Sequence, residues 1–302
     1  MTGRRSFLFF CATAIRSLAQ PGPQRELAAK LQPLIDQFQG KVWLFAKNLD
    51  SGATFGIRED EKVRTASTIK LPILCALADL VAAGKVRWEE PLTLTADDKV
   101  SGSGVVRELS NGIKLPIRDH ANLMIVVSDN TSTNLILDRI TADAVNDYMD
   151  KLGLPATRVM RKIRGDGNNL KPVETGHSRA GKLEENRRFG IGSSTSREMV
   201  MLLEKLERGQ VVSPDASKDI LATLRRQQYK DGIGRHISFP VASKSGSLDR
   251  LRSDVGIVYA KAGRIAMAIT VDDMPVTDYS EDNAGLKLIS DLAQMLVGSL
   301  AR

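Results

Sequence analysis

The sequence predicts an α/β (α+β) fold in which one antiparallel sheet is built from both ends of the chain, with flanking helices and an inserted all-α lobe. Candidate strands lie near both ends, at 42–57 and at 242–271, and the residues between them have mostly helical periodicity. We therefore expect an α/β lobe from about 25–60 and 215–302, and an all-α lobe from about 61–214. A cleft between two such lobes is a natural ligand site.

The N-terminal part of the predicted sheet is a hairpin. A helix is predicted first, at 25–38, because its leucines recur on one side. Two apolar runs follow at 42–46 and 54–57, separated by the turn residues of 48–52. These runs predict two neighbouring antiparallel strands.

The middle of the chain is predicted to be helical. A helix from about Ser67 has an apolar side and stops at Gly84. Residues 161–194 are rich in Gly, Asn, Lys and Arg and lack a sustained period, which predicts a long surface loop, and such loops are usually functional or mobile. The remaining predicted elements are helices at 117–127, 131–140, 142–152, 196–208, 214–225 and 282–300, and strands at 242–246, 254–259 and 264–271.

The N-terminus is typical of a cleaved export signal. Arg4 and Arg5 precede an apolar run at 7–15, and small residues follow around Ala19. The paired arginines resemble a twin-arginine signal, and the run is too short to span a bilayer. We therefore predict a signal peptide at 1–19 and an exported mature domain at 20–302, periplasmic or secreted, with no membrane span.

Composition and charge exclude several classes of protein. The 302 residues are 42% apolar and 26% charged, which is ordinary for a soluble globular protein. The net charge of +7 falls to +4 without Arg4, Arg5 and Arg16 of the signal. The remaining basic residues are scattered among acids, so we predict no nucleic-acid binding. A monomer is the default expectation.

Cysteine and histidine usage argues against a disulfide or a metal centre. Cys11 belongs to the predicted signal, so Cys75 has no partner in the mature chain, and its apolar neighbours predict that it is buried. The histidines, at 120, 177 and 236, lack metal-ligand spacing. We predict no metal and no organic cofactor.

A first chemical motif, Ser-x-x-Lys, is formed by Ser67 and Lys70 at the predicted start of a helix. Residues three apart share a helix face, which places the amine beside the hydroxyl. Serine is a weak nucleophile that needs a base, and a lysine serves where burial or neighbouring cations lower its pKa. Alone, the pattern also fits a capped helix with an exposed lysine.

A second motif, Ser128-Asp129-Asn130, stands between two predicted helices. The Ser128 hydroxyl is suited to relay a proton to a leaving group, and the Asn130 amide is suited to bind a substrate carbonyl or amide. All three residue types are also favoured helix N-caps, so the segment alone fits either interpretation.

A third motif, Lys244-Ser245-Gly246-Ser247, lies on a predicted strand. A strand edge can pair with an extended substrate backbone, and Lys244 offers a positive charge for a carboxylate. Ser245 adds a hydroxyl donor, and Gly246 permits close approach. The alternative is a polar strand end.

The three motifs occur in the order and contexts typical of class A β-lactamases and penicillin-binding proteins, whose motifs are Ser-x-x-Lys, Ser-Asp-Asn and Lys-Thr-Gly. Here Ser245 replaces the threonine and keeps its hydroxyl. The chain resembles this family from roughly Leu27 to Leu300, including the segment 126–131 and the strand 254–259. The resemblance implies a β-lactamase-like fold.

The resemblance also implies catalytic roles. Ser67 would attack the β-lactam carbonyl and become acylated, and Lys70 would help to take its proton. Ser128 would pass a proton to the ring nitrogen as it leaves.

Substrate binding is implied for the other motif residues. Asn130 would orient the side-chain amide of the substrate, and Lys244 with Ser245 would hold its carboxylate. The backbone N–H groups of Ser67 and Ser247 would form the oxyanion hole.

One family feature is missing. The resembling enzymes carry a Glu-x-x-Leu-Asn motif whose glutamate activates the water that removes the acyl group, and this chain has none. Aligning the preceding arginine with Arg161 puts Ile163 at the place of the glutamate. Two readings remain: deacylation is slow, or another acid of the loop takes the role, from the set Asp166, Glu174, Glu184 and Glu185.

The leading functional prediction is a serine β-lactamase that works through a Ser67 acyl-enzyme. The alternatives are a D-alanyl-D-alanine peptidase or transpeptidase acting on cell-wall peptides, and a slowly deacylating penicillin-binding sensor. The expected partner is accordingly a small β-lactam or a cell-wall peptide.

Overall fold

The structure is a computed structural model that describes residues 22–166, 170–171 and 177–301. The predicted signal peptide lies outside these residues, as does Glu174. The α-helices of the described part are α1 (Gly22–Gln37), α2 (Lys70–Ala82), α3 (Ile117–Val126), α4 (Asn130–Ile140), α5 (Ala142–Lys151), α6 (Ser196–Glu207), α7 (Pro214–Arg225) and α8 (Ala284–Leu300). The strands are β1 (Lys41–Asn48), β2 (Thr54–Ile57), β3 (Val63–Arg64), β4 (Pro91–Thr93), β5 (Lys114–Pro116), β6 (Arg158–Val159), β7 (Gly192–Ser194), β8 (Val241–Leu248), β9 (Leu251–Ala260) and β10 (Gly263–Asp272).

The main sheet has the strand order β2-β1-β10-β9-β8, and every neighbouring pair is antiparallel. The two ends of the chain meet where β1 pairs with β10, with Leu44 opposite Ile269. This arrangement confirms the predicted antiparallel sheet built from both termini.

Alternation along β10 decides which helices cover each face of the sheet. Ile265, Met267 and Ile269 point into a core shared with α8 and α1. Ala266 and Ala268 point to the opposite face, where α6 packs. Successive side chains of a strand alternate between faces, and the small alanines let a helix approach closely.

The core of the helical lobe continues onto the sheet without a break. Leu77 and Ile136 of the helices belong to the same buried cluster as Val255 and Ile257 of β9. Cys75 is fully buried in this cluster, as its apolar neighbours predict. Helix α6 packs against β1 and β10, so it contacts the sheet directly. The division of the lobes at 60/61 and 214/215 stays a prediction.

Short elements depart from the sequence-based expectation. Residues 66–69 form a 3₁₀ helix, and regular α-helix begins only at Lys70, whereas an α-helix was expected from Ser67. Pro72 has no N–H to donate and is tolerated because it lies in the first turn. The loop expected at 161–194 ends in β7, which pairs with β3 and β6. Strands of two or three residues are too short to show periodicity.

No helix among the described residues combines the length and the apolar character needed to cross a bilayer. The fold places the 3₁₀ helix before α2, the N-terminus of α4, the loop before β7, and strand β8 around one cleft.

Candidate active site

Ser67 lies on the 3₁₀ helix that packs against β8. Ala66 before it has φ 48°, a left-handed conformation that costs a residue with a Cβ about 1–2 kcal/mol. Such local strain is typical of functional sites. A Cβ on Gly246 of β8 would lie 2.9 Å from the Ser67 backbone nitrogen, so glycine is what lets β8 approach the backbone of Ser67.

Lys70 is fully buried at the first turn of α2. Its Nζ donates to the Ser128 carbonyl oxygen at 2.6 Å and to Asn130 Oδ1 at 2.9 Å, and it lies 3.2 Å from Ser128 Oγ. Burial, followed by the charge of Lys244, holds the pKa of Lys70 well below its usual range, while Asp129 opposes the shift. This shift makes the neutral, basic form of the amine more accessible than it is in an exposed lysine.

Ser128 stands between α3 and α4 with φ 54°, in the left-handed region. Its hydroxyl lies between two amines, 3.2 Å from Lys70 Nζ and 3.0 Å from Lys244 Nζ. One oxygen thus connects the first and third motifs, which are far apart in the sequence.

Asp129 anchors the second motif. Its carboxylate accepts N–H bonds from Ser132 in the first turn of α4 at 2.8 Å, from Val105 at 2.6 Å and from Val106 at 2.8 Å. Asp129 is thus both the N-cap of α4 and the tie that holds the loop 103–106 over it. The N-cap alternative therefore applies to Asp129, and the neighbouring Ser128 and Asn130 are left to face the cleft.

The Asn130 side chain connects Lys70 to the loop that contains Ser101. Its Oδ1 accepts from Lys70, and its Nδ2 donates to the Ser101 carbonyl at 3.0 Å. One N–H of this amide has no partner among the described residues, and the side chain lines the cleft.

Lys244 is fully buried on β8, and Asp254 is buried on the neighbouring β9. Burial lowers the pKa of Lys244 to about 7 and raises the pKa of Asp254 to about 7, and the charge of each opposes the shift of the other. Asp254 Oδ2 accepts the Ile233 N–H at 2.9 Å, which also favours the carboxylate. The pair keeps Lys244 more highly charged than burial alone would allow.

All seven residues predicted for the site converge. Ser67, Ser128, Asn130, Ser245 and Ser247 line one cleft of about 720 Å³, and Lys70 and Lys244 lie beneath it with their amines on Ser128.

Arg252 lines the same cleft and was not predicted from the sequence. It pairs with Ser247 across the β8–β9 hairpin and is only 1% exposed. Its guanidinium donates to the Leu248 and Leu251 carbonyls, both at 2.6 Å, and lies over the Tyr279 ring at 4.8 Å. An arginine inside an otherwise buried strand was the available signal, because buried charges are rare without a role.

Ile163 lies in the cleft wall, at the place the alignment assigns to the missing glutamate. Asn134 of α4 holds it from both sides: Asn134 Nδ2 donates to the Ile163 carbonyl and the Ile163 N–H donates to Asn134 Oδ1, each at 2.8 Å. An apolar side chain is therefore fixed where a water-activating carboxylate was expected.

The four acids considered as replacements have different positions. Asp166 lines the cleft, and its Oδ2 would lie 3.6 Å from a Cβ on Gly102, beside Asn130. Glu184 and Glu185 are exposed and lie outside the cleft lining, with Glu184 paired to Arg187. Glu174 lies outside the described residues.

Residues 26–300 match the family model described as the β-lactamase enzyme family. The chain belongs to the β-lactamase enzyme family. This membership confirms the predicted fold and the predicted class of enzyme, a serine hydrolase acting on β-lactams.

Individual β-lactamases and related proteins are similar at low identity. The β-lactamase of Bacillus licheniformis is 22% identical over 96% of this chain and 90% of that protein. SME-1 of Serratia marcescens is 26% identical over 49% of this chain and 51% of that enzyme. The solved β-lactamase of Sphaerobacter thermophilus is 29% identical with a TM-score of 0.77, covering 90% of this chain and 96% of that one. The structure of PBP-A is 25% identical with a TM-score of 0.76, covering 91% and 95%.

Proposed function

We propose that this protein opens β-lactams by forming an acyl-enzyme at Ser67 and that its β-lactamase turnover is limited by release of the acyl group. The observation that carries the proposal is the convergence of Lys70 and Lys244 on one hydroxyl, that of Ser128, beside Ser67 in a single cleft. This arrangement provides a nucleophile, a base and a proton donor at one cleft.

Lys70 acts as the base for acylation. A neutral amine has two N–H groups and one lone pair, and two pure acceptors, the Ser128 carbonyl and Asn130 Oδ1, take the N–H groups. The lone pair is then left for a hydroxyl proton. Because burial lowers the pKa of Lys70, this neutral form is accessible and can receive the proton of Ser67 as the bond to the substrate carbonyl forms.

Ser128 returns the proton to the leaving nitrogen. Its oxygen accepts an N–H from Lys244 at 3.0 Å, so its own O–H is free to point to the substrate or to Lys70. When the lactam C–N bond breaks, the Ser128 proton goes to the nitrogen, and Lys70 replaces it with the proton taken from Ser67.

The substrate carboxylate lies on the β8 side of the cleft. Lys244 supplies positive charge, Ser245 a hydroxyl donor, and the Arg252 guanidinium a second cation on the adjoining strand. Asn130 binds the side-chain amide through its free N–H. The backbone N–H groups of Ser67 and Ser247 form the oxyanion hole.

Deacylation is slow because Ile163 cannot activate water. A general base contributes about 10²- to 10⁴-fold to such a step. Asp166 is the carboxylate of the four considered that lies in the cleft, and it is our candidate for residual turnover.

A second candidate is a D-alanyl-D-alanine peptidase or transpeptidase acting on cell-wall peptides. Ile163 favours the transfer reaction, because a peptide amine is a stronger nucleophile than water and accepts the acyl group with less need of a base at that position. A point mutant of PBP-A, 26% identical to this chain, is described as an acyl-enzyme complex with penicillin G. We carry only the acylation chemistry over to this chain.

The test is one time course read in two ways. The mature protein is mixed with a chromogenic cephalosporin, and absorbance and intact mass are recorded together. We expect a burst, a slow steady rate and an adduct on the peptide that carries Ser67. Ser67→Ala abolishes the adduct, and Ser51→Ala in an exposed turn leaves it unchanged.

Other outcomes separate the candidates. Fast steady turnover without an adduct would contradict the slow release proposed here. An adduct that survives Ser67→Ala would remove the site assignment. Release of D-alanine from a muropeptide would favour the peptidase.

Export is part of the same proposal. Residues 1–19 are proposed to be removed during transport, which would place the mature domain where β-lactams and cell-wall peptides are met. N-terminal sequencing of the protein recovered from outside the cytoplasm is expected to start close to Gln20, and an intact Met1 there would contradict export by cleavage.

A further inference from the structure

Two chain segments, 161–166 and 187–191, lie side by side and together form what we call the loop wall of the cleft. The Met160 N–H donates to the Ile191 carbonyl at 2.9 Å, which joins the two segments at their base. A Cβ on Gly190 would lie 3.9 Å from Arg161 Nη2, so the Arg161 side chain reaches across to the second segment.

The loop wall carries four arginines that line the cleft, and three of them have no carboxylate partner among the described residues. The four are Arg161, Arg164, Arg187 and Arg188. Arg187 pairs with Glu184 at 2.9 Å. The others bind uncharged groups: Arg161 donates to the Lys162 carbonyl, Arg164 donates to the Lys171 carbonyl, and Arg188 lies over the Phe189 ring. Asp166 is the single carboxylate on the loop wall.

The charged form of Arg161 is destabilised by its surroundings. Burial, and then the charge of Arg164, lowers the pKa of Arg161 from its usual range. A partly buried guanidinium beside a second one gains free energy when an anion arrives, and a carboxylate fits the guanidinium fork in a bidentate manner.

The loop wall adjoins the end of the cleft that holds the acyl side chain of a substrate. Asn134 binds both backbone groups of Ile163, so the wall is fixed to the same helix that begins with Asn130. Gly102 lies between Asn130 and Asp166: a Cβ added to Gly102 would lie 2.6 Å from Asn130 Nδ2 and 3.6 Å from Asp166 Oδ2. Lys244 and Ser245 belong to the other wall, formed by β8.

We propose that the loop wall is a second anion subsite, which selects substrates bearing an additional carboxylate on the acyl side chain. The inference rests on the proposed acylation at Ser67. The first carboxylate is held on β8, and the second meets Arg161, Arg164 and Arg188. The preferred substrates are thus dicarboxylates, whether β-lactams or cell-wall peptides with a free side-chain carboxyl.

Three penicillins that differ at one side-chain position test the subsite. Carbenicillin carries a carboxylate there, penicillin G carries hydrogen and ampicillin carries an amine. The second-order rate constant for Ser67 acylation is measured by intact mass for each. We expect carbenicillin to react about threefold to tenfold faster than penicillin G, and ampicillin to react slowest, because exposed guanidinium–carboxylate pairs have modest strength.

Salt separates charge from shape. At about 0.1 M salt the Debye length is about 10 Å, and at about 1 M it is about 3 Å. The ratio of the carbenicillin rate constant to the penicillin G rate constant is expected to fall towards one at high salt. A preference for carbenicillin that is unchanged by salt would contradict a subsite made of partly exposed arginines.

Variants locate the effect. Arg164→Gln and Arg188→Gln are expected to lower the ratio of the carbenicillin rate to the penicillin G rate, and their combination to bring it close to one. Arg208→Gln removes an exposed arginine that directly follows α6, outside the cleft, and is the matched control, with an unchanged ratio. Should Arg164→Gln fold poorly, the rate ratio of Arg188→Gln, whose side chain is exposed, still tests the subsite.

The outcomes distinguish the two proposals. Absence of a Ser67 adduct with all three penicillins overturns the proposed function. Adducts that form at equal rates, or a ratio unaffected by either arginine variant, overturn the subsite alone.

Discussion

In the proposed mechanism, the charge state of the buried Lys244 sets the alkaline side of the pH profile for acylation. The amine is charged below its pKa of about 7 and neutral above it, and only the charged form attracts a substrate carboxylate. We expect the acylation rate constant with penicillin G to fall as pH rises through this range. On the acidic side it should rise with pH, because Lys70 must lose its proton to act as a base.

Asp254→Asn tests which group causes the alkaline limb. The Asp254 charge raises the pKa of Lys244, so removing it should move the falling limb to lower pH. Asparagine keeps an oxygen for the Ile233 N–H and is a close steric match. Acylation rates across the pH range give the midpoint, and a midpoint that does not move would exclude Lys244 as the titrating group.

In the proposed mechanism, Ile163 is the residue that limits turnover. Ile163→Glu places a carboxylate on a backbone that Asn134 already holds at both N–H and C=O. We expect the steady rate of cephalosporin hydrolysis to rise at least about tenfold, within the range known for a general base. Leu170→Glu, which adds a carboxylate elsewhere in the cleft lining, is the matched control. Equal gains in both variants would show that added charge, not position, is responsible.

At the scale of elements, the contact between β8 and the 3₁₀ helix positions Ser67, the proposed nucleophile. The three atoms nearest to a Cβ on Gly246 would all be backbone: Ser67 N and Thr65 O at 2.9 Å and Thr68 N at 3.0 Å. Backbone cannot move aside as a side-chain end can, so the two elements would have to separate.

Gly246→Ala is therefore expected to slow Ser67 acylation at least about tenfold, because small misplacements of reacting groups are costly. Gly298→Ala on α8 meets nothing within 4 Å and is the control. It should leave acylation unchanged and raise the free energy of unfolding by up to about 1 kcal/mol, since alanine favours helix. Adduct formation by mass and urea unfolding measure the two effects. Acylation of Gly246→Ala at the normal rate would show that β8 does not hold Ser67 in place.

On the scale of the whole molecule, one buried cluster joins the helical lobe to the sheet. It contains side chains from α2 and α4 and also from β9 and β10. A shared core of this kind couples the two lobes, because neither can lose its packing without exposing apolar surface of the other.

The two tryptophans report on the lobes separately. Trp43 is buried on β1 of the sheet, and Trp88 packs against the shared cluster beside the helices. Trp88→Phe leaves Trp43 as the single fluorescent probe, and Trp43→Phe leaves Trp88. We expect that, in each variant, the urea unfolding transition seen by fluorescence coincides with the transition seen by circular dichroism. Leu77→Ala should lower the free energy of unfolding by about 2–5 kcal/mol, and by the same amount whether Trp43 fluorescence, Trp88 fluorescence or circular dichroism is followed. Separate transitions would contradict a common core.

Regular elements were predictable because their patterns are local. The amphipathic helices at 196–207 and 214–225 and the alternating strand at 263–272 carry their periodicity in consecutive residues, and the structure has them within one or two residues of the prediction. Strands β3, β6 and β7 were missed because two or three residues hold no period, and they form only where other segments supply partners.

The sequence by itself determined the order of the long helices and strands, the sheet drawn from both termini, and the three motifs with their residue types. Only the tertiary structure decided that Lys70 and Lys244 share the Ser128 hydroxyl, that Arg252 faces the cleft, and that four arginines gather on the loop wall. The physical reason is distance along the chain. Periodicity and capping act within a few residues, whereas burial, pKa shifts and charge balance depend on neighbours supplied by folding.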